Sequence, residues 1–484
     1  MKIFTASQIR RADQYTIIHE PIASIDLMER AAQACVTQLI AHFPHQQHFT
    51  ICCGPGNNGG DGLAMSRLLL EKNFEVSTYI IESEKNSTDH QINYQRLLQT
   101  PGCEIKAFHQ QTDITPNERS VLIDCLLGTG VTRPVEGELA ELIQHLNQSF
   151  KTIISIDVPS GMHCDEHTIG PSINASETWT FQWVKKAFLF PENHIRVGDW
   201  SIVNIGLSPE FEMQEPSSFL LLDENMMADI RKPRDKFAHK GNFGHALIIA
   251  GSKGKMGAAV IAARACLRSG VGLLTCAIPE RGEIIMQTTN PEAMVLLDVD
   301  QDVITQLPDI HNYKAIGIGP GLGTDARSAQ VVKSLLQTAA CPLLIDADAL
   351  NCIAHQQWQA LLPKRCILTP HVKEFERLFG TTKNDFERHQ LQIESSIKYG
   401  IIIVLKGAHT CITTPEGLVY FNNTGNPGLA KGGSGDLLSG IITAYLAQGY
   451  TPQQAALLGV YDHGHAADLT AQRLGQQAML PTDL

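Results

Sequence analysis

This 484-residue sequence is short of basic charge. Its 38 lysines and arginines are outnumbered by 50 acidic residues, which gives a net charge of −12 at pH 7. An acidic surface repels nucleic acid and anionic membranes, so we expect neither as a partner. Any anionic ligand must therefore be held by local backbone N–H groups and a few lysines rather than by a general basic field.

Ordered cysteine patterns and long apolar runs are also missing. The 12 cysteines are scattered without a CxxC pair, which argues against a zinc site and indicates reduced core thiols. Arg264 and Arg268 interrupt the longest apolar candidate for a membrane span. The N-terminal residues lack the apolar core of a signal peptide, so we expect a cytoplasmic protein.

Aromatic residues are few, whereas glycine is plentiful. The 39 glycines and 43% hydrophobic residues suit an α/β protein, in which many strand–helix loops need glycine. A chain of this length exceeds one compact core, which predicts two or more domains. The polar segment 206–218 contains prolines and no apolar periodicity, which makes it the best boundary. We predict domains at residues 1–212 and 219–484.

The first half contains a glycine-rich crossover. A buried strand at 49–53 runs into the segment Gly54–Gly62 (GPGNNGGDG), followed by a predicted helix at 63–72 and a second strand at 76–81. This pattern indicates a βαβ unit whose loop lies where parallel sheets bind ligands. The spacing also satisfies the GxGxxG dinucleotide fingerprint, but the loop carries polar side chains that a dehydrogenase does not need.

Two further strands end in an acid and a glycine turn. Strand 121–124 ends at Asp124 before the turn 128–134, in which Arg133 is available for phosphate, and strand 152–157 ends at Asp157. The carboxyl ends of parallel strands share one edge of a sheet, so we expect these loops to meet. Alternatively, each acid merely caps its own loop.

The second half indicates another parallel sheet. Continuous apolar runs at 315–319, 342–346, 366–371 and 401–405 are typical of strands buried on both faces. Each run ends in a polar or glycine turn. The turn 406–410 supplies a cation, N–H groups and a hydroxyl, which suit nucleotide phosphates. The alternatives are that Lys406 is a surface lysine and that His371 is an ordinary loop histidine.

A glycine loop precedes an apolar run that is predicted to begin a buried helix. In the stretch 426–440 (NPGLAKGGSGDLLSG), the loop exposes N–H groups at the positive end of the helix that follows. Such a site binds anions, commonly phosphate. Asp436 would repel that ligand unless it is needed to accept a proton, as in phosphoryl transfer to a hydroxyl. Alternatively, Asp436 is an ordinary N-terminal cap.

These motifs together resemble the bifunctional NAD(P)H-hydrate repair enzymes, over nearly the whole chain. Two motifs resemble the NAD(P)H-hydrate epimerase domain, namely Gly54–Gly62 and Asp157–Gly161. Five resemble the ADP-dependent NAD(P)H-hydrate dehydratase domain, namely His239–Gly241, Gly319–Gly323, Thr369–His371, Lys406–Thr410 and Gly432–Asp436. The resemblance implies an α/β protein with an N-terminal Rossmann-like three-layer αβα domain and a C-terminal ribokinase-like α/β domain.

The resemblance also implies two reactions. The first domain would interconvert the R and S epimers of hydrated NADH and NADPH, with Asp157 as the first choice for the proton-moving group and Lys186 as the second. The second domain would dehydrate the S epimer with ADP, giving AMP and phosphate, and Asp436 would accept the proton of the hydrate hydroxyl. K⁺ is implied for the first domain and Mg²⁺ for the second, and a homo-oligomer is expected.

The resemblance assigns site residues as follows. In the first domain the hydrate contacts are Asn57, Asn58, Gly59, Gly60, Asp61, Gly128, Thr129, Gly130, Val131, Thr132, Arg133, Pro134 and Asp157. The K⁺ ligands are Asn58, Asp124 and Ser160. In the second domain the hydrate contacts are Ala258, Gly321, His371 and Asp436. The nucleotide phosphates are held by Lys406, Gly407, Ala408, His409, Thr410 and Gly435.

Three other functions remain open from the sequence. A ribokinase-like small-molecule kinase with an accessory nucleotide-binding domain is the main alternative. A sensor that only binds pyridine nucleotides is the next, and a dehydrogenase is the last because hydride transfer does not need an acid in each glycine loop.

Overall fold

The computed structural model describes residues 1–46, 48–108, 114 and 120–484. The chain forms two compact units, one containing residues 2–217 and the other containing residues 218–484 together with Met1. Each unit is built on its own β-sheet.

The sheet of the first unit is entirely parallel, with strand order β3-β2-β1-β4-β5-β6-β7. The strands are β1 (His48–Cys53), β2 (Glu75–Ile80), β3 (Ile105–Ala107), β4 (Val121–Cys125), β5 (Thr152–Ile156), β6 (Glu177–Phe181) and β7 (Asp199–Val203). The strand order reverses between β1 and β4. A crevice at the carboxyl ends of these two strands is where open parallel sheets bind ligands.

The helices of the first unit lie before, between and after its strands. They are α1 (Ala6–His19), α2 (Ser24–His42), α3 (Asn57–Glu71), α4 (Thr88–Leu98), α5 (Gly137–Ser149), α6 (His194–Val197) and α7 (Pro209–Gln214). Pro21 lies between the first two helices, since α1 ends before this proline and α2 begins after it. The predicted boundary segment 206–218 is not structureless, because α7 lies within it.

Helix α3 begins six residues earlier than the sequence predicts, at Asn57 instead of Leu63. Glycine is a poor helix former, and three glycines in this turn therefore favoured a loop. Close packing explains why they are helical. A Cβ on Gly59 would lie 1.7 Å from the Gly54 carbonyl oxygen, and a Cβ on Gly62 would lie 2.7 Å from Cys53 Sγ. The segment 57–61 is thus the first turn of α3, and its polar side chains are held on a rigid element.

The second unit contains a ten-stranded sheet in the order β11-β10-β9-β12-β13-β14-β15-β16-β17-β8. The strands are β8 (Phe219–Leu221), β9 (His245–Ile249), β10 (Leu273–Ile278), β11 (Met294–Leu297), β12 (Ala315–Ile318), β13 (Leu343–Ile345), β14 (Ile367–Leu368), β15 (Ile402–Leu405), β16 (Cys411–Thr413) and β17 (Val419–Phe421). The seven strands from β11 to β15 in this order are parallel, and β16 is antiparallel to both of its neighbours.

Both faces of the parallel part of this sheet are buried, as its continuous apolar runs predict. In β9, Ala246 and Ile248 join one hydrophobic cluster, whereas Leu247 and Ile249 join another. The helices of this unit are α8 (Glu224–Ile230), α9 (Met256–Arg268), α10 (Glu283–Thr289), α11 (Ala326–Thr338), α12 (Ala347–Gln356), α13 (Val372–Phe379), α14 (Asp385–Tyr399), α15 (Ser434–Ala447) and α16 (Pro452–Leu474). The predicted α/β class is confirmed.

In the part of the chain that the structure describes, no helix has both the length and the apolar character required to cross a membrane.

Candidate active sites

The first turn of α3 and two loops of the first unit are tied together at Leu127, just beyond the carboxyl end of β4. Asn58 Nδ2, in the first turn of α3, donates to the Leu127 carbonyl oxygen at 2.9 Å. The Leu127 N–H in turn donates to Ser160 Oγ at 2.8 Å. The turn that follows also approaches α3, because a Cβ on Gly128 would lie 3.3 Å from Asn58 Cβ. The three predicted strand ends therefore meet at one edge of the sheet.

Asp124 is fully buried at this edge and is satisfied by hydrogen bonds. Its Oδ2 accepts from Ser155 Oγ at 2.7 Å and from the Ser160 N–H at 2.9 Å, and its Oδ1 accepts from Ser160 Oγ at 2.5 Å. Burial raises the pKa of the Asp124 carboxyl, and the bonds from Ser160 and Ser155 oppose that rise. The nearby Asn58 Oδ1 is buried without a hydrogen-bond partner among the described residues. This set of oxygens suits a monovalent cation.

Asp157 forms a buried ion pair that the sequence did not predict. Its Oδ1 accepts from Lys185 Nζ at 2.6 Å and from the Phe181 N–H at 3.1 Å. The Lys185 side chain is 1% exposed. Asp157 has a φ of 64°, which strains a residue with a side chain. Within the described chain no donor reaches its Oδ2, so one carboxylate oxygen is left for a ligand.

Two more carboxyl groups face Asp157. The pKa of Asp13, on α1, is raised to about 7 by burial and then by the negative charge of Asp157, while Lys185 opposes the rise. The pKa of Asp61 is raised well above its usual value by burial, followed by the charges of Asp157 and Asp13. These groups therefore retain protons at a pH where ordinary aspartates have lost them.

The structure also places Lys186 and Arg133, two residues that the sequence singled out. Lys186, the second choice for the proton-moving group, is not the residue paired with Asp157, because Lys185 occupies that place. Arg133 is exposed on the turn 128–134. A second guanidinium comes close to this turn, since a Cβ on Gly130 would lie 3.2 Å from Arg10 Nη2. No local pattern links Arg10 to a turn 120 residues away.

In the second unit, the glycine loop leads into α15 as predicted, but Asp436 is not its cap. The helix begins at Ser434, and the capping residue is Gly433, which has a φ of 99° and makes no side-chain hydrogen bond to the helix. Asp436 therefore lies in the first turn of α15, beside N–H groups that no side chain caps. The reading of Asp436 as an N-terminal cap is wrong.

The surroundings of Asp436 make it more basic than an ordinary aspartate. Its pKa is raised to about 6 by burial and then by the charge of Asp346, with a smaller rise from Asp348, while Lys406 opposes these effects. Such a carboxyl is still ionised above neutral pH. A pKa near the working pH is the property that a general base requires.

Lys406 lies directly after β15 and next to the glycine loop. Its Nζ is 2.9 Å from Asp346 Oδ1. A Cβ on Gly435 would lie 3.3 Å from the same nitrogen, so the ammonium group is in contact range of the loop. The Lys406 N–H donates to the Pro370 carbonyl oxygen at 2.9 Å, which joins this turn to the end of β14. Lys406 is therefore held in place and is not a free surface lysine.

His371 caps the N-terminus of α13. Its Nδ1 accepts from the N–H groups of Lys373 and Glu374 at 3.1 and 3.3 Å, and Glu374 Oε2 accepts from the His371 N–H at 2.9 Å. The His371 side chain is half exposed, and its Nε2 lies 3.5 Å from Glu374 Oε1. A β-bridge pairs His371 with Lys406, so the residue lies at the same sheet edge as the glycine loop.

Small residues line the remaining part of this edge. A Cβ on Gly321, which has a φ of 61°, would lie 3.0 Å from Ala258 Cβ. Ser252 Oγ donates to the Gly321 carbonyl oxygen at 2.7 Å, and Asp348 Oδ2 accepts from the Gly323 N–H at 2.8 Å. These bonds fix the loops after β9 and β12 and the start of α12 relative to one another. The close approach leaves no room for larger side chains at Gly321.

Lys431 has a role that the sequence did not indicate. It directly precedes the glycines of the loop. Its Nζ donates to the carbonyl oxygens of Gln477 and Met479, both at 2.6 Å. This lysine anchors the C-terminal segment.

Comparison with known proteins gave matches for both units. Residues 246–484 match the family model described as NAD(P)H-hydrate dehydratase, and residues 24–187 match the model described as YjeF-related protein N-terminus. The bifunctional NAD(P)H-hydrate repair enzyme Nnr of Moorella thermoacetica is 33% identical over 100% of this chain and 95% of its own length. The enzyme of the same name from Escherichia coli is 32% identical over 100% of this chain and 92% of its own length.

A solved structure also resembles the second half of the chain. It is the ADP/ATP-dependent NAD(P)H-hydrate dehydratase of Bacillus subtilis, co-crystallised with ATP and Mg²⁺. The identity is 34%, the match covers 54% of this chain and 93% of the other, and the TM-score is 0.48.

Proposed function

Since this chain belongs to the family of bifunctional NAD(P)H-hydrate repair enzymes, we propose that it repairs hydrated NADH and NADPH in two steps. The Rossmann-like first unit epimerises the R and S hydrates. The ribokinase-like second unit dehydrates the S epimer at the expense of ADP. The observation that carries the proposal is the position of Asp436, in the first turn of α15 and beside Lys406.

In the second unit, Asp436 accepts the proton of the hydrate hydroxyl while that oxygen attacks the terminal phosphorus of ADP. The bond to the AMP oxygen breaks, and the uncapped N–H groups of α15 together with Lys406 stabilise the charge on the moving phosphoryl group. Phosphate then leaves with the electron pair of the C–O bond, the ring loses a proton, and the double bond is restored. Phosphate is a far better leaving group than hydroxide, which is why the nucleotide is needed.

Mg²⁺ would come with the nucleotide. Among the described residues no group of three or more His, Cys, Asp or Glu side chains is arranged to hold a metal. Mg²⁺ usually binds through substrate phosphates, with few protein ligands and several waters. Its contribution here would be to screen the diphosphate charge of ADP.

In the first unit, we assign the proton transfer to Asp157. Lys185 and the Phe181 N–H hold one carboxylate oxygen, and the other is left to exchange a proton with the hydrate. The substrate would lie between α3 and the turn 128–134, with Arg133 close to its phosphates.

The proposed function is tested with the separated epimers of hydrated NADH. With ADP and Mg²⁺, the S epimer should regain the absorbance of NADH, and the R epimer should do so only through the first unit. A small-molecule kinase would consume nucleotide on an alcohol without forming NADH, and a sensor would leave both epimers unchanged. Either of these results contradicts the proposal.

K⁺ binding by Asn58, Asp124 and Ser160 gives a second test. The buried Asn58 Oδ1 without a hydrogen-bond partner supports such a site. A ligand at 100 times its Kd stabilises the folded state by about 2.7 kcal/mol, which raises Tm by roughly 5–10 °C in a unit of this size. We expect K⁺ to raise the Tm of the first unit, and Asn58→Ala to abolish that rise.

Lithium or choline chloride at equal ionic strength is the control for the K⁺ experiment. A rise in Tm of the same size with choline would show that ionic strength alone is responsible. A full K⁺ response in Asn58→Ala would remove this residue from the ligand set.

We further propose a homo-oligomer in the cytoplasm. All 12 cysteines are unpaired, which suits a reducing compartment. Light scattering on the purified protein tests the oligomer, and a molar mass near that of one chain, 53.0 kDa, would contradict it.

A further inference from the structure

Asp346 is a buried carboxylate at the second site that the sequence did not single out. It follows β13, precedes the first residue of α12 and is 1% exposed. Its Oδ1 is 2.9 Å from Lys406 Nζ, and its Oδ2 accepts from Ser439 Oγ at 2.6 Å. A buried charge is costly unless it is paired and hydrogen-bonded, and both oxygens of Asp346 meet that condition.

Both partners of Asp346 lie next to the proposed phosphate site. Lys406 is at the turn expected to hold the nucleotide, and its side chain remains 22% exposed. Ser439 Oγ also contacts the Gly435 carbonyl oxygen at 3.1 Å, one turn earlier in α15. The carboxylate of Asp346 thus connects the ammonium group on one loop to the first turn of the helix on another.

Asp346 also acts on the general base through space. The charged groups that face Asp436 are Asp346 and Asp348, which raise its pKa, and Lys406, which lowers it. Lys406 is itself faced by Glu374 and by His463, whose pKa falls to about 4 because it is buried and close to this ammonium group. Among these neighbours, Asp346 has the largest electrostatic effect on Asp436.

We propose that Asp346 is a positioning residue for phosphoryl transfer, which holds Lys406 Nζ at the glycine loop and maintains a fixed negative charge beside Asp436. This role rests on the dehydratase function proposed for the second unit. A residue with a merely structural role would stabilise the fold without setting the protonation of the base.

The test is Asp346→Asn, which preserves the size of the side chain and removes its charge. Misplacing Lys406 should lower kcat by about 10- to 100-fold. Removing a like charge lowers the pKa of the base, so the acid limb of the kcat profile should move to lower pH by about 0.5–1 unit. Ser439→Ala, which loses the hydroxyl but leaves the Asp346 charge in place, should not move that limb.

A double-mutant cycle with Lys406→Met provides an independent readout. If Asp346 acts through Lys406, the double variant should lose no more activity than Lys406→Met alone, because residues that act as a unit are not additive. The double variant also removes the unpaired buried charge, so it remains measurable if Asp346→Asn folds poorly. Additive losses and an unmoved acid limb would overturn the proposal. If the wild-type protein fails to restore NADH, the proposed function itself has failed, which is a different result.

Discussion

Asp436→Asn is expected to lower the ADP-dependent return of NADH from the S epimer by about 100- to 10,000-fold, the usual contribution of a general base. The substitution preserves the shape of the side chain but removes its ability to accept a proton. Exchange between the R and S epimers, measured by chromatography, should be unchanged because it belongs to the first unit. Binding of ADP should persist or tighten, since the lost charge repels phosphate.

The matched control is Asp229→Asn, the same chemical change at an exposed position of α8 in the same unit. The pH dependence supplies a further check on the wild-type protein. Because the pKa of Asp436 is raised to about 6, the base is ionised above that pH and protonated below it, so activity should fall as pH falls through about 6. An Asp436→Asn protein that retains wild-type kcat would exclude this residue as the base.

The two sheets could be predicted from the sequence because their signal is local. The continuous apolar run before the 406–410 turn predicts a strand buried on both faces, and β15 lies there. The same holds for the strand that ends at Asp124. Since parallel strands place their carboxyl ends together, the meeting of the loops around Leu127 follows from topology alone.

The chemical partners of these residues could not be predicted, because they are distant in the chain. Asp13 faces Asp157 across 144 positions, and Lys406 meets Asp346 across 60. Periodicity reports which face of an element is buried, and it carries no information on which buried side chains come together. Lys185 is the clearest example, because a shift of one position along the chain decides which of two adjacent lysines contacts Asp157.

The prediction of where α3 begins failed for a different physical reason. Glycine propensity predicts a loop over 57–62, and that preference is worth about 1 kcal/mol per glycine relative to alanine in a helix. The close approach of Gly59 to the Gly54 carbonyl oxygen excludes any larger residue there. Tertiary packing therefore outweighs the preference of glycine for a loop at this site. The first turn of the helix lies directly against the backbone of Gly54, and only glycine fits there.

Asp157→Asn should have the converse effect to Asp436→Asn, because it affects the other unit. Epimer exchange should fall by about 100- to 10,000-fold when the proton-moving carboxylate is lost. Dehydration of the pure S epimer should proceed at the wild-type rate, whereas the R epimer should no longer yield NADH. Asp199→Asn, an exposed aspartate at the start of β7, is the control for the chemical change.

Stability must be separated from catalysis in this variant, because Asp157→Asn leaves Lys185 buried without its partner. Breaking a buried ion pair from one side costs about 3–5 kcal/mol, whereas replacing both charges is often close to neutral. The double variant Asp157→Asn/Lys185→Met should therefore regain much of the lost free energy of unfolding, measured by denaturant titration. It should not regain epimer exchange. Recovery of exchange together with stability would show that Asp157 supports the fold and moves no proton.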